Sequence, residues 1–170
     1  MPQRQDVSLE FTAHQVLVVA DDFTGANDAG VGLALQQAQV NVILELDALK
    51  TGTLHEVTVI NTDSRAQDAQ DAVVHAVTRW REAGGSGWVF KKIDSTLCGN
   101  LGAEIAATLT ASGAEMALIA HAVTALGRIT REGKVWVNGI LLTETEFVSD
   151  PKTPVRRYAG TQCGDCRTYR

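Results

Sequence analysis

Apolar positions along this chain alternate between two patterns, continuous short runs and stripes at helical spacing. Residues 15–20 (QVLVVA) form an unbroken apolar run, the pattern of a strand covered on both faces. Residues 40–46 (VNVILEL), 56–61 (EVTVIN), 88–93 (WVFKKI) and 115–120 (EMALIA) read as further strands. Between them lie amphipathic stretches. Thr24 offers a cap for a helix over residues 26–37, with Ala26, Ala29, Gly30, Leu33 and Ala34 on one face. Ala72, Val73, Ala76, Val77 and Trp80 make one stripe of a helix over 67–81, and residues 100–112 give a third helix stopped by Gly113. Strands alternating with helices predict an α/β fold. It is a three-layer, Rossmann-like arrangement, with a mainly parallel sheet and helices on both faces. The rhythm then changes: residues 134–142 (KVWVNGILL) predict a C-terminal β-hairpin turning at Asn138-Gly139. Residues 1–14 are polar and irregular, read as a flexible leader, and 156–170 show no periodicity, read as an unstructured atypical tail. The folded unit is expected over 15–155.

Composition narrows the function classes. The 170 residues carry 15 Lys and Arg against 20 Asp and Glu, a formal charge of -5 that argues against nucleic acid as a partner. A few local cations can still hold a small anion. No segment reaches the roughly 18 apolar residues of a membrane span, and no signal-peptide pattern opens the chain. Three cysteines do not make a secreted disulfide framework, so the cytoplasm is the expected location.

In open α/β sheets ligands bind beyond the carboxyl ends of the strands. Three loops leave strands with chemically unusual residues: Asp21-Asp22, Asn61-Thr62-Asp63-Ser64-Arg65, and Lys91-Lys92-Ile93-Asp94. Neighbouring side chains leaving a strand point to opposite sides. One of the two acids is therefore expected to face a pocket while the other braces the turn or caps the next helix. Close carboxylates raise one another's pKa, which suits a general base or a metal ligand, although Asp with Gly also makes an ordinary turn and cap. Arg65 offers a guanidinium fork for a carboxylate, or is an exposed residue at a helix start, where a cation is disfavoured. Of Lys91 and Lys92, one is expected to face inward and to need an anion, either Asp94 or a ligand. Cys163-Gly-Asp-Cys166 has no second pair and reads as incidental. His14, His55, His75 and His121 show no metal-ligand spacing, so no metal site is expected. No GxxxxGK[ST] phosphate loop is present.

Taken together, ADDFTGANDAG (20–30), INTDSRA (60–66), KKIDSTLCGNLGAEI (91–105) and ALGRITREGKVWVNGILLTETEFVSDPKTPV (125–155) resemble the N-terminal domain of the four-carbon acid sugar kinases. That family uses ATP to phosphorylate the terminal hydroxyl of acids such as D-threonate and D-erythronate. Its first domain holds the sugar acid and its second holds ATP. The resemblance implies substrate contacts at Asp22, Arg65, Lys91, Lys92, Ile93 and Asp94, with Asp22 as the candidate base for the attacking hydroxyl. It implies ATP and Mg²⁺ as cofactors of the full-length family. The ATP-binding domain itself has no counterpart in these 170 residues, so neither cofactor is expected to bind this chain strongly. Two departures stand out: Cys98 replaces an expected Arg, and His121 and Thr124 stand where the family favours prolines. The expectation is a sugar-acid-binding part of a kinase, inactive alone, with a separate ATP-binding chain as a possible partner. Alternatives are a stand-alone binding module, a degenerate truncated product, or an Asp/Mg²⁺-dependent phosphotransfer or hydrolase domain.

Overall fold

A computed structural model describes residues 15–49, 54–64, 69–97 and 99–149. Its centre is a parallel sheet built from the apolar runs: β1 (Gln15–Ala20), β2 (Val40–Ile43), β3 (Val57–Asn61) and β4 (Gly87–Lys91), in the order β2-β3-β1-β4. β1 is thus flanked by β3 and β4, both parallel to it. The strand order reverses at β1, and this reversal opens the crevice in which such folds bind ligands.

Strand parity divides the core in two. Leu17 and Val19 face one side, packing with Ile60 and with Val73, Ala76, Val77 and Trp80 of α2 (Ala69–Glu82). α3 (Leu101–Ser112) covers the same face, adding Ala107 to that cluster. Val18 and Ala20 face the other side, packing with Val57, Val59 and Ala26 of α1 (Phe23–Ala34). Helices on both faces of a parallel sheet are the architecture that the alternating pattern implies. Each fully buried aliphatic side chain contributes about 1.5–3 kcal/mol relative to exposure, so strands apolar on both faces are the main source of cohesion.

The chain closes with a meander, β5 (Arg128–Arg131), β6 (Lys134–Val137) and β7 (Ile140–Leu141), paired antiparallel in that order. Both connections are two residues long, Glu132-Gly133 and Asn138-Gly139, and all four residues have positive φ, as a primed hairpin turn requires. Val135, Val137 and Leu142 form a small core that also takes in Leu97 from the loop after β4 and Phe147. That contact ties the meander to the rim of the main sheet.

Two local expectations fail. The apolar run 115–120 is not a strand: Met116, Leu118 and Ile119 are exposed, Leu118 at 95%. A run of apolar residues becomes a strand only where a neighbouring edge takes its backbone groups and both faces are covered. Here β4 is the edge strand, Trp88 and Phe90 on it are exposed, and residues 114–121 face it across a cavity, paired to no strand among the described residues. The second correction is the cap of α1. Asp22 and not Thr24 is the N-cap, and the helix starts at Phe23.

Candidate functional site

The parity that splits the core also splits the two charged doublets. Asp21 continues the Leu17–Val19 face and Lys91 the Val89 face, so both turn toward α3. There Lys91 Nζ lies 3.4 Å from Glu104 Oε2 and 3.9 Å from Asp21 Oδ1, and it donates to the Lys92 carbonyl at 2.8 Å. All three side chains are at most 6% exposed. Ser64 Oγ donates to Glu104 Oε1 at 3.1 Å, and Thr62, hydrogen-bonded to Ser64, also holds the Ala20 carbonyl. The loops after β1, β3 and β4 are therefore knotted to the first turn of α3 through one buried polar network. Two carboxylates share one ammonium in it. Burial, followed by the repulsion of Asp21, pushes the Glu104 carboxyl above its ordinary value of 4.5 despite the attraction of Lys91.

Asp22 and Lys92 take the opposite face, toward the start of α1. Asp22 Oδ1 accepts from the Gly25 amide and closes the cap. Gly25 is needed there: a Cβ would stand 2.8 Å from that same oxygen, with Lys92 Cγ at 3.6 Å. Asp94 is held in its own turn, one carboxylate oxygen accepting from both the amide and the hydroxyl of Thr96. Leu97, at φ 60°, then turns the chain toward the meander.

These groups form one end of a cavity of about 840 Å³ that runs along β4 from Gly87 to its carboxyl end and is also lined by α3 and residues 114–121. Asp22, Lys92, Ile93 and Asp94 line it, with Lys91 and Asp21 at its floor and His121 and Arg128 reaching it from the later chain. Burial holds His121 below its ordinary pKa of 6.5, and its Nε2 is hydrogen-bonded to Thr130 at 2.9 Å. Of the residues that the sequence singles out, Asp22, Lys91, Lys92, Ile93 and Asp94 are brought together at this cavity. Arg65, Cys98, Cys163, Cys166 and His14 lie outside the described residues. Glu104, which anchors the network, is not among the candidates the sequence offers, and Ser64 enters there only as part of the 61–65 loop. Glu104 lies on a helix that the sequence marks only by its span and its Gly113 stop, and nothing local announces a contact across 40 residues.

The cavity suits a small polar anion. It offers carboxylates that accept hydroxyl hydrogen bonds, an ammonium, and an apolar Ile93 between them. Phosphate is a poorer fit at the place where doubly wound folds usually cradle it, the first strand–helix turn. There an amide at the head of α1 is already taken by the Asp22 carboxylate, whose charge repels a phosphate. Among the described residues, that turn therefore does not form a phosphate cradle. Among the described residues, no group of three His, Cys, Asp or Glu is arranged to hold a metal ion, and no helix is long and apolar enough to cross a membrane.

Residues 16–159 match the family described as the sugar-binding N-terminal domain. The chain is 49% identical over 144 residues to the D-threonate kinase of Salmonella typhimurium, covering 83% of this chain and 34% of that protein. It is 41% identical over 147 residues to the D-erythronate kinase of Heliobacterium modesticaldum, covering 84% and 34%. Among solved structures, it superimposes with a TM-score of 0.76 on a domain of unknown function from Bordetella bronchiseptica, a domain-swapped dimer with bound citrate. Identity there is 34%, covering 82% of this chain and 37% of that one. The chain spans about a third of the length of the curated relatives it matches, and the matched third is their N-terminal, sugar-binding domain.

Proposed function

Because the chain belongs to the sugar-binding N-terminal domain family, we propose that its cavity binds a four-carbon sugar acid and presents the terminal hydroxyl for phosphorylation. The observation that carries this reading is the placement of Asp22, Lys92, Ile93 and Asp94 around one cavity at the strand-order reversal. Lys92, together with Arg65, offsets the ligand carboxylate. Asp94 accepts a hydrogen bond from a ligand hydroxyl, and Ile93 packs against the carbon chain. Asp22 orients the attacking hydroxyl and takes its proton, the one proton-transfer role that phosphoryl transfer asks of a protein group. Lys91 acts from beneath, holding the loop through Asp21 and Glu104, and any direct contact with ligand adds to that role.

ATP with Mg²⁺ supplies the phosphoryl group in the full-length kinases that the resemblance implies. This chain supplies the acceptor side, and the donor side comes from a further domain or a separate chain. In this reading the protein is a metabolic component of the cytoplasm, and the 170 residues by themselves do not turn over substrate.

Thermal unfolding tests the reading. D-threonate or D-erythronate at a hundredfold excess over its Kd stabilises the chain by about 2.7 kcal/mol, a shift of several degrees, whereas ATP produces none. A chain whose Tm moves with neither acid is not a sugar-acid module. A shift with Mg²⁺ alone points instead to the metal-dependent alternative.

A further inference from the structure

Among the described residues, four lysines and arginines line the cavity, and three of them already have company. Lys91 is set between Asp21 and Glu104. Lys92 Nζ donates to the Ile93 carbonyl at 3.3 Å. Arg81 stacks 5.0 Å from the centre of the Trp80 ring and donates to the Gly85 carbonyl at 3.3 Å. Arg128 differs. It is only partly exposed, its Nε is fully buried with no hydrogen-bond partner, and no carboxylate among the described residues lies within ion-pair distance.

Its position is fixed by the backbone. Gly127, at φ 66°, closes the turn before it by donating to the Thr124 carbonyl at 3.0 Å. A Cβ at Gly127 would lie 2.0 Å from Asn138 Oδ1, so any other residue there would have to push that side chain aside as well as adopt a left-handed φ. The Arg128 amide bonds the Val123 carbonyl at 3.1 Å, and its register in β5 pairs it with Val137. The guanidinium rests 5.8 Å from the centre of the Phe147 ring, which steers its plane without satisfying its N–H groups. A guanidinium kept partly out of water without an anion is unfavourable, and the usual resolution is a carboxylate gripped by two parallel N–H groups.

Resting on the reading that the cavity holds a sugar acid, we propose that Arg128 is a specificity-determining residue that grips the ligand's carboxylate from the meander. The acid is then held between two parts of the chain. Asp22 and Asp94 take the hydroxyls and Lys92 one side of the carboxylate, all from the rim of the main sheet. Arg128 takes the charged end and rejects polyols that lack it.

Calorimetric titration of the 170-residue chain and of Arg128→Met with D-threonate and D-erythronate, with the ligand-free Tm of each, tests this. The expected result is a loss of tenfold or more in affinity for the acid that binds wild type, with a ligand-free Tm equal to or above that of wild type. Arg128→Lys, which keeps the charge but not the fork, loses several-fold. Affinity within twofold of wild type in Arg128→Met, while wild type binds, overturns the assignment and leaves the sugar-acid reading standing. Where Arg128→Met lowers the Tm, Arg128→Lys decides: weakened binding at unchanged Tm supports the role, and unchanged binding removes it. A wild-type chain that binds neither acid overturns the underlying reading and this one with it.

Discussion

Lys91 and Glu104 show how the same residue types divide between interior and cavity. The sequence places two lysines at the end of an apolar strand and predicts that one faces inward and needs an anion. The structure assigns Lys91 to that role, but its partners are Asp21 and Glu104, not Asp94. Glu104 was illegible because its meaning depends on which helix covers which strand end. The network has a pH signature. With its pKa raised by burial, Glu104 takes up a proton in the folded chain before it does in the unfolded one. Its contribution therefore favours folding at low pH and is lost as pH rises through the elevated value. His121, lowered by burial, slopes the other way, costing stability as pH falls below its ordinary 6.5. Glu104→Gln is expected to abolish the first slope and leave the second, so that urea midpoints rise monotonically from the carboxylate range to neutrality. A Glu104→Gln profile that still falls with rising pH refutes the assignment.

Among the elements, β1 and β3 were legible because their apolar runs are buried on both faces, and α1 and α2 because their stripes meet the sheet; β2 and β4 were legible as apolar runs although Val42, Trp88 and Phe90 on them stay exposed. The 115–120 run misled for the complementary reason, since apolar composition says nothing about whether an edge stands ready to pair with it. β5 escaped notice because R-I-T-R has one apolar residue and exists through its partner β6. The cap of α1 was misplaced by two residues, and the correction gives Asp22 a capping role beside the catalytic one proposed for it. Substitutions separate them. Asp22→Ala removes the acceptor for the Gly25 amide and is expected to lower stability by about 1 kcal/mol. Asp22→Asn keeps a capping oxygen and is expected to leave stability within a few tenths. Placed at the matching position of an intact kinase relative, Asp22→Asn is expected to cut turnover by about 10²-fold or more. Chemical denaturation and steady-state kinetics read the two effects. Full turnover with impaired binding would reduce Asp22 to a positioning group.

At the scale of the whole molecule, the chain is a sheet with a finished side and an open one. Trp88 is 71% exposed on β4, and Phe90, Met116, Leu118 and Ile119 are exposed beside the same cavity. That much apolar surface near one cavity is unusual for an isolated monomer. Side chains this exposed contribute little to folding, so Trp88→Lys and Leu118→Lys are each expected to change stability by no more than about 0.5 kcal/mol. Both should reduce binding of a hydrophobic dye and self-association, as read by fluorescence and sedimentation. A large loss of stability in either would mean that the surface is internal to the fold. The absence of an ATP-binding counterpart in the sequence allows for such an exposed face, but which residues form it is not legible, because exposure depends on what the rest of the molecule does and not on the apolar letters themselves.

The alternation of β1 and β4 has a last consequence. Asp-Asp and Lys-Lys look like spare copies, as though one acid and one lysine would suffice. Each doublet instead straddles the plane of the sheet, one member facing inward to the buried network and the other toward the start of α1 and the cavity. Deleting a single residue from β4 would swap those faces, sending the cavity's lysine inward and the network's outward without removing any charge from the composition. Apparent repetition in this sequence is therefore a division of labour, kept by register alone.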